Sequence, residues 1–230
     1  MFGGSLWIWV IFIGFTVISW LISHQLKSRF QKYSKKPTAN GMTGRDVVEK
    51  MLRDNGVTGV KIGSVEGMLT DHYNPVNKTI NLSRDVYYGN SIAAAAVAAH
   101  ETGHALQHAK GYSMLKLRST LVPAVEFASH WVQWILLAGI LMVNSFPGLL
   151  LVGIGLFAIM TLFSFVTLPV EIDASHRALA WLRNSGITDY QTQGYAFDAL
   201  KWAAYTYVIA ALSSLATLLY YIMIYLNRRD

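Results

Sequence analysis

The sequence contains no cysteine. That excludes disulfides, any thiolate metal site and any cysteine nucleophile. Charge is scarce too: 14% of the 230 residues are Asp, Glu, Lys or Arg, against roughly 25% in an ordinary soluble domain. Acidic residues are the rarer sign, 13 against 19 Lys and Arg, which leaves a formal charge of +6. In a chain that is 53% hydrophobic, a basic excess points to Lys and Arg facing the cytoplasm beside a membrane. No nucleic-acid partner is expected. There is no internal repeat, and the only low-complexity stretch is a short alanine run before His100.

What the chain does have is long apolar runs. A helix needs about 20 apolar residues to cross the hydrocarbon. Four stretches meet that length, at about 6–22, 121–143, 146–170 and 203–226. The first does not read as a cleaved secretory signal, because no Lys or Arg precedes it and no small-residue cleavage site follows. The Asn144-Ser145-Phe146-Pro147-Gly148 connection allows only a tight antiparallel hairpin. Trp7, Trp9, Trp20, Trp131, Trp134, Tyr220, Tyr221 and Tyr225 fall near span ends, where amphipathic rings settle. Glu126 and His130 are ionisable groups four residues apart at the start of the second span, and a mutual pair near the interface is expected.

Between the first two spans, residues 24–118 form the main polar region. It opens with a basic stretch whose Lys27, Arg29, Lys32, Lys35 and Lys36 suit contact with anionic lipid. Thr43 is a candidate N-cap for a helix carrying Val47, Val48, Met51 and Leu52 at helical spacing, closed by Gly56. Two strand-like runs follow, the later one (MLTDHYNPVNKTINLS) folded at Asn74-Pro75-Val76-Asn77. Residues 92–109 read as a helix. A second polar segment, 171–202, reads as two helical pieces split at Asn184-Ser185-Gly186. The expected partition is a first span (1–23), a membrane-proximal catalytic region (24–120), a two-span hairpin (121–170), a further ligand segment (171–202) and a fourth span (203–230).

His100-Glu101-Thr102-Gly103-His104 is the H-E-x-x-H pattern, placed on a predicted helix. Residues four apart share one helical face, about 6 Å apart along the axis. Two imidazoles so placed can bind one Zn²⁺ at roughly 2.0–2.1 Å each. Glu101 then lies beside the metal as a general base. His108 extends the row but lies about 12 Å from His100 along a straight helix. It is expected in a supporting or surface role. A catalytic zinc takes three protein ligands and keeps one position open. Without cysteine, the third ligand is a His or a carboxylate. Glu171 is the leading candidate, at the exit of the third span and the start of a polar helix. Asp173 is its rival, and His72 and His176 are weaker candidates. His176, Arg177, Tyr195, Tyr205 and Tyr207 are candidates for stabilising a developing oxyanion.

The segments HETGHALQH, LTDHYNPVNKTINLS and LPVEIDASHRAL, in this order, resemble the YugP-type membrane zinc peptidases of bacteria. More distantly the chain resembles HtpX and the CAAX prenyl proteases, gluzincins with two His and a downstream Glu. The resemblance implies His100 and His104 as ligands, Glu101 as base and Glu171 as third ligand of a Zn²⁺ cofactor. It implies an α+β fold: a mostly helical multi-pass membrane protein with a small gluzincin-like unit bearing a short β-hairpin. It implies a metalloendopeptidase acting on polypeptides, unfolded or membrane-embedded, in membrane-protein quality control. One position departs from the distant relatives. They carry an Asp four residues after the ligand Glu, thought to orient a ligand His, and here that place holds Ser175. Ser175 or Asp173 is expected to take that role, or another residue fills it from elsewhere.

Two other readings compete. An intramembrane site-2-type protease would bury its H-E-x-x-H in a span. The 92–109 helix is instead flanked by Asn90 and Lys110 and carries Gln107 and His108, which favours a site at or above the interface. A catalytically idle zinc-binding or chaperone-like protein would have no use for Glu101. With four spans, the polar regions share one side, and all Lys and Arg except Arg228 and Arg229 fall there. The catalytic side is therefore expected in the cytoplasm of a multi-pass cell-membrane protein.

Overall fold

A computed structural model describes residues 3–227, with side chains from Trp9 onward. The Trp7 side chain and Arg228 and Arg229 lie outside the described residues. Seven helices and three strands follow in the order α1 (Gly3–Tyr33), α2 (Gly44–Asp54), β1 (Lys61–Val65), β2 (His72–Asn74), β3 (Thr79–Ser83), α3 (Arg84–Tyr87), α4 (Ile92–Ala109), α5 (Ser113–Leu141), α6 (Pro147–Asn184) and α7 (Tyr190–Leu226). The fold is α+β and mostly helical. Among the described residues, α1, α5, α6 and α7 are long and apolar enough to cross a membrane.

The chain divides into two compact units. The first comprises Met1–Leu21, Leu117–Leu168 and Thr206–Asp230. Its core includes Val132 and Leu136 of α5 against Leu150 and Ile154 of α6. Small residues permit that approach: a Cβ on Gly139 would stand 2.7 Å from the Leu150 Cα, and one on Gly153 would stand 2.7 Å from a Leu136 methyl. A Thr161–Ser214 hydroxyl contact of 2.7 Å joins α6 to α7. Trp9, Trp131 and Trp134 are exposed. Glu126 and His130 are exposed as well, and they make no ion pair with each other. The expected pairing is thus not found.

The second unit comprises Ile22–Lys116 and Pro169–Tyr205. The Thr43 cap of α2 forms as expected, with a full capping box to Asp46. Val47, Val48, Met51 and Leu52 are all buried, and Gly56 closes the helix at φ +66°. The strands form one sheet in the order β1-β3-β2. β3 pairs in parallel with β1 (Lys61 opposite Thr79) and antiparallel with β2 (His72 opposite Asn81). The later strand-like run therefore makes a hairpin whose β2 arm is a sheet edge. α4 packs against α2, α3, β2 and β3. Its alanines 93–96, 98 and 99 are all buried.

One expectation about helix limits is corrected, at Glu171. The basic stretch, for its part, continues the first helix. α1 runs on to Tyr33 because its last turns dock on α7: the Tyr33 hydroxyl donates to Asp198 at 2.7 Å, Arg29 pairs with Asp198 at 3.3 Å, and Tyr33 stacks on Tyr195 at 5.0 Å. Glu171 does not begin a new helix. α6 passes without a break through Pro169 into the polar 171–184 segment. Hydropathy changes there, but backbone hydrogen bonding does not stop. The expected split at Asn184-Ser185-Gly186 does occur, with Gly186 at φ +70°.

Candidate metal centre

α4 begins at a Ser91 side-chain cap and ends at Ala109, the limits read from the sequence. Its H-E-x-x-H face lies against α6. Gly103 makes this possible, since a Cβ there would stand 2.7 Å from the Ala174 carbonyl oxygen. Any larger residue would hold the two helices apart.

His100, His104 and Glu171 converge. Their nearest ligand atoms all lie within 4.8 Å of one another. His100 Nε2 is 3.2 Å from Glu171 Oε2, and His104 Nε2 is 3.6 Å from the same oxygen. Donors bound tetrahedrally at roughly 2.0–2.1 Å stand roughly 3.3 Å apart. Two nitrogens and one carboxylate oxygen at this spacing are a donor set that fits zinc and leaves a fourth position open. Glu171 is only 3% exposed and His104 is 6% exposed, so water competes weakly for either. In the metal-free chain, burial works against a charged His104. The hydrogen bond to Glu171 and the charges of Glu101 and Glu171 outweigh it and raise its pKa.

Glu101 sits between the two histidines in sequence and is also buried. Among the described residues no hydrogen bond or ion pair engages its carboxylate. Asp71, just before β2, is within its electrostatic reach. Burial raises the Asp71 pKa and Glu101 adds to the rise, while hydrogen bonds from the Ser83 amide (2.7 Å) and hydroxyl (3.1 Å) oppose it.

The supporting residues divide between the histidines. Ser175 Oγ is 3.1 Å from His100 Nδ1. His104 Nδ1 is instead 3.0 Å from Gln107 Oε1, and Gln107 in turn donates to Asp173 Oδ2 at 2.7 Å. Asp173 is thus linked to the cluster but is not one of its members. Sequence reasoning passed over Gln107 as a polar flank and did not single out Asp71. An H-E-x-x-H-x-x-Q spacing was the available signal for Gln107, which stands one turn beyond His104.

The remaining candidates are engaged elsewhere. His72 is exposed on the hairpin, bonded to the Thr70 carbonyl and to Asn81. His108 shares a 2.7 Å hydrogen bond with the Tyr73 hydroxyl of β2, in keeping with a supporting role. His176 is exposed. Arg177 is held by Asp173 at 2.6 Å, Tyr195 stacks on Tyr33, and Tyr205 packs edge-on against Trp202. Tyr207 belongs to the first unit.

A buried His-His-Glu cluster in a chain with four span-length apolar helices has the makings of a membrane-bound zinc hydrolase. Comparison with known proteins agrees. A family model described as "Putative neutral zinc metallopeptidase" matches residues 8–226, so the chain belongs to that family. A relative named "Putative membrane protease YugP", from Bacillus subtilis (strain 168), is 41% identical over 227 residues, covering 96% of this chain and 99% of the relative. No solved structure matches the chain. With the four apolar helices, this kinship makes it a multi-pass membrane protein of the zinc metallopeptidase class.

Proposed function

We propose that this chain is a zinc metalloendopeptidase that cuts extended polypeptides at the cytoplasmic side of the cell membrane. The observation that carries the reading is the convergence of His100 and His104 of α4 with Glu171 of α6, all within 4.8 Å. These three would hold the ion. A bound zinc would supply Lewis acidity, making water a stronger acid and polarising a peptide carbonyl. Glu101 takes the proton of the attacking water and later passes it to the leaving amine. Its lack of any hydrogen bond leaves it available for both transfers. Burial of the cluster keeps bulk water out and strengthens these charges.

The β2 edge, lying beside α4, suits substrate binding by strand addition. Main-chain pairing there would align an extended chain with the histidine face. Selectivity would then rest on an unfolded backbone more than on one side chain, as in quality control of membrane proteins. Purified, zinc-loaded protein should release peptides from an unfolded membrane protein, and chelator or Glu101→Gln should stop the release. Hydrolysis that continues in the presence of chelator, or at full rate in Glu101→Gln, overturns the reading.

A further inference from the structure

We infer that Gln107 is the positioning residue of His104, and that its locked amide decides which His104 nitrogen faces a metal. This rests on the zinc reading above.

Gln107 is fully buried. Its side-chain nitrogen carries two hydrogens and donates to two groups, the Val170 carbonyl at 2.8 Å and Asp173 Oδ2 at 2.7 Å. Neither the carbonyl nor an ionised carboxylate can donate in return. Flipping the amide would set its oxygen against both of those oxygens, an acceptor facing two acceptors, and would leave the buried amide oxygen unsatisfied. The amide orientation is therefore fixed by chemistry, with Oε1 toward His104 Nδ1 at 3.0 Å. An amide oxygen only accepts, so Nδ1 must carry the hydrogen. The lone pair of neutral His104 is then on Nε2, the atom that faces Glu171 at 3.6 Å.

Arg177 completes the chain. It grips Asp173 with Nε at 2.6 Å and with a second nitrogen at 3.3 Å, and its guanidinium lies 6.0 Å from the Tyr112 ring centre. Arg177 holds Asp173, Asp173 and Val170 hold Gln107, and Gln107 holds His104. His100 has no such lock. Its Nδ1 meets the Ser175 hydroxyl, which can donate or accept. The two histidines are thus positioned unequally, and His104 is the one whose tautomer is imposed.

The test uses the full-length protein in detergent, with zinc alone and cobalt(II) alone as probes. Gln107→Met keeps the volume and removes the acceptor. It should weaken zinc binding, read by chelator competition, on the order of 10–100-fold, and should shift the visible bands of the cobalt form. Asp173→Ala, at a partly exposed position, frees the Gln107 amide and should weaken zinc binding in the same direction but less. An unchanged zinc affinity and cobalt spectrum in Gln107→Met overturns the inference, even if its melting temperature falls, because the residue would then be packing alone. If Gln107→Met does not fold, unchanged affinity in Asp173→Ala overturns it. A wild-type protein that binds no zinc removes both this inference and the metal reading, whereas variant-only failure leaves the metal reading standing.

Discussion

His100 Nε2 and Glu171 Oε2 stand 3.2 Å apart although 71 residues separate them in the chain. That spacing is close to the roughly 3.3 Å expected between two donors on one tetrahedral zinc. The cluster therefore needs little rearrangement to accept an ion. Carboxylate and imidazole are held ready by the packing of α4 on α6, with Gly103 at the point of closest approach.

Separating chemistry from metal binding gives the first prediction. Glu101→Gln should keep stoichiometric zinc, measured by metal analysis of the purified protein, while hydrolysis falls by about 10²–10⁴-fold. Gln keeps the shape but cannot accept the proton of water. His104→Ala should lose metal and activity together. Near-normal turnover in Glu101→Gln would remove the general-base assignment.

Much of this centre is legible in the sequence, and the reasons are physical. The 92–109 helix opens on an alanine-rich run of good helix formers and is flanked by Asn90 and Lys110, so its limits could be read directly. His100, Glu101 and His104 followed from helical spacing. Glu171 could be named only as the leading candidate, from its place at the exit of the third span and then from the family motif, because no local rule brings residue 171 to residue 100. Gln107 was illegible for the same reason: the groups that fix its amide, Val170 and Asp173, lie more than 60 residues away. The start of a polar helix at Glu171 was misjudged, because α6 runs through it. Apolar length marks where a helix can lie in lipid, not where its hydrogen bonding stops.

The glycine of the motif should tolerate nothing larger. In Gly103→Ala the new methyl would meet the Ala174 backbone at 2.7 Å, and backbone cannot swing aside. Overpacking of this kind costs about 1–3 kcal/mol. The displaced helix should also loosen the cluster, so zinc affinity should fall along with the melting temperature. A variant with wild-type affinity would mean that the helices separate without moving the ligands.

Zinc binding should weaken as pH falls, beginning above the ordinary histidine range. His104 has a raised pKa in the metal-free chain because its carboxylate neighbours outweigh its burial, and zinc must displace that proton. For the metal-free protein alone the sign is opposite. The stabilisation from protonated His104 is complete below the unfolded value of about 6.5 and is lost as pH rises through the higher folded value. The melting-temperature gap between zinc-loaded and zinc-free protein should therefore widen as pH rises from about 6.5 through the higher folded value. A gap that stays constant would place the titrating group elsewhere.

If β2 receives substrate by strand addition, backbone availability should control the rate. A reduced, unfolded polypeptide should be cut readily, and the same polypeptide held folded by a tight ligand should resist until the ligand is removed. Peptide release followed by mass spectrometry reads the difference. Equal cutting of the two forms would count against main-chain pairing at the β2 edge.

The absence of cysteine makes the orientation directly measurable. In the proposed four-span orientation, the 144–148 turn would face one side and the 24–118 and 171–202 segments the other. Lys27, Arg29, Lys32, Lys35 and Lys36 adjoin the first span, and Lys116 and Arg118 precede the second. Positive charges this close to span ends set orientation and mark the cytoplasmic side. Arg228 and Arg229 would count for the opposite orientation, but they are outnumbered and lie at the end of the sequence. Single cysteines at two exposed positions, Ser145→Cys and Ala39→Cys, would be the only thiols in the chain. A membrane-impermeant maleimide applied to intact cells should label Ser145→Cys and should reach Ala39→Cys only after permeabilisation. The reverse pattern would put the metal cluster outside the cell. Equal labelling of both positions in intact cells would mean that the number of spans is not four.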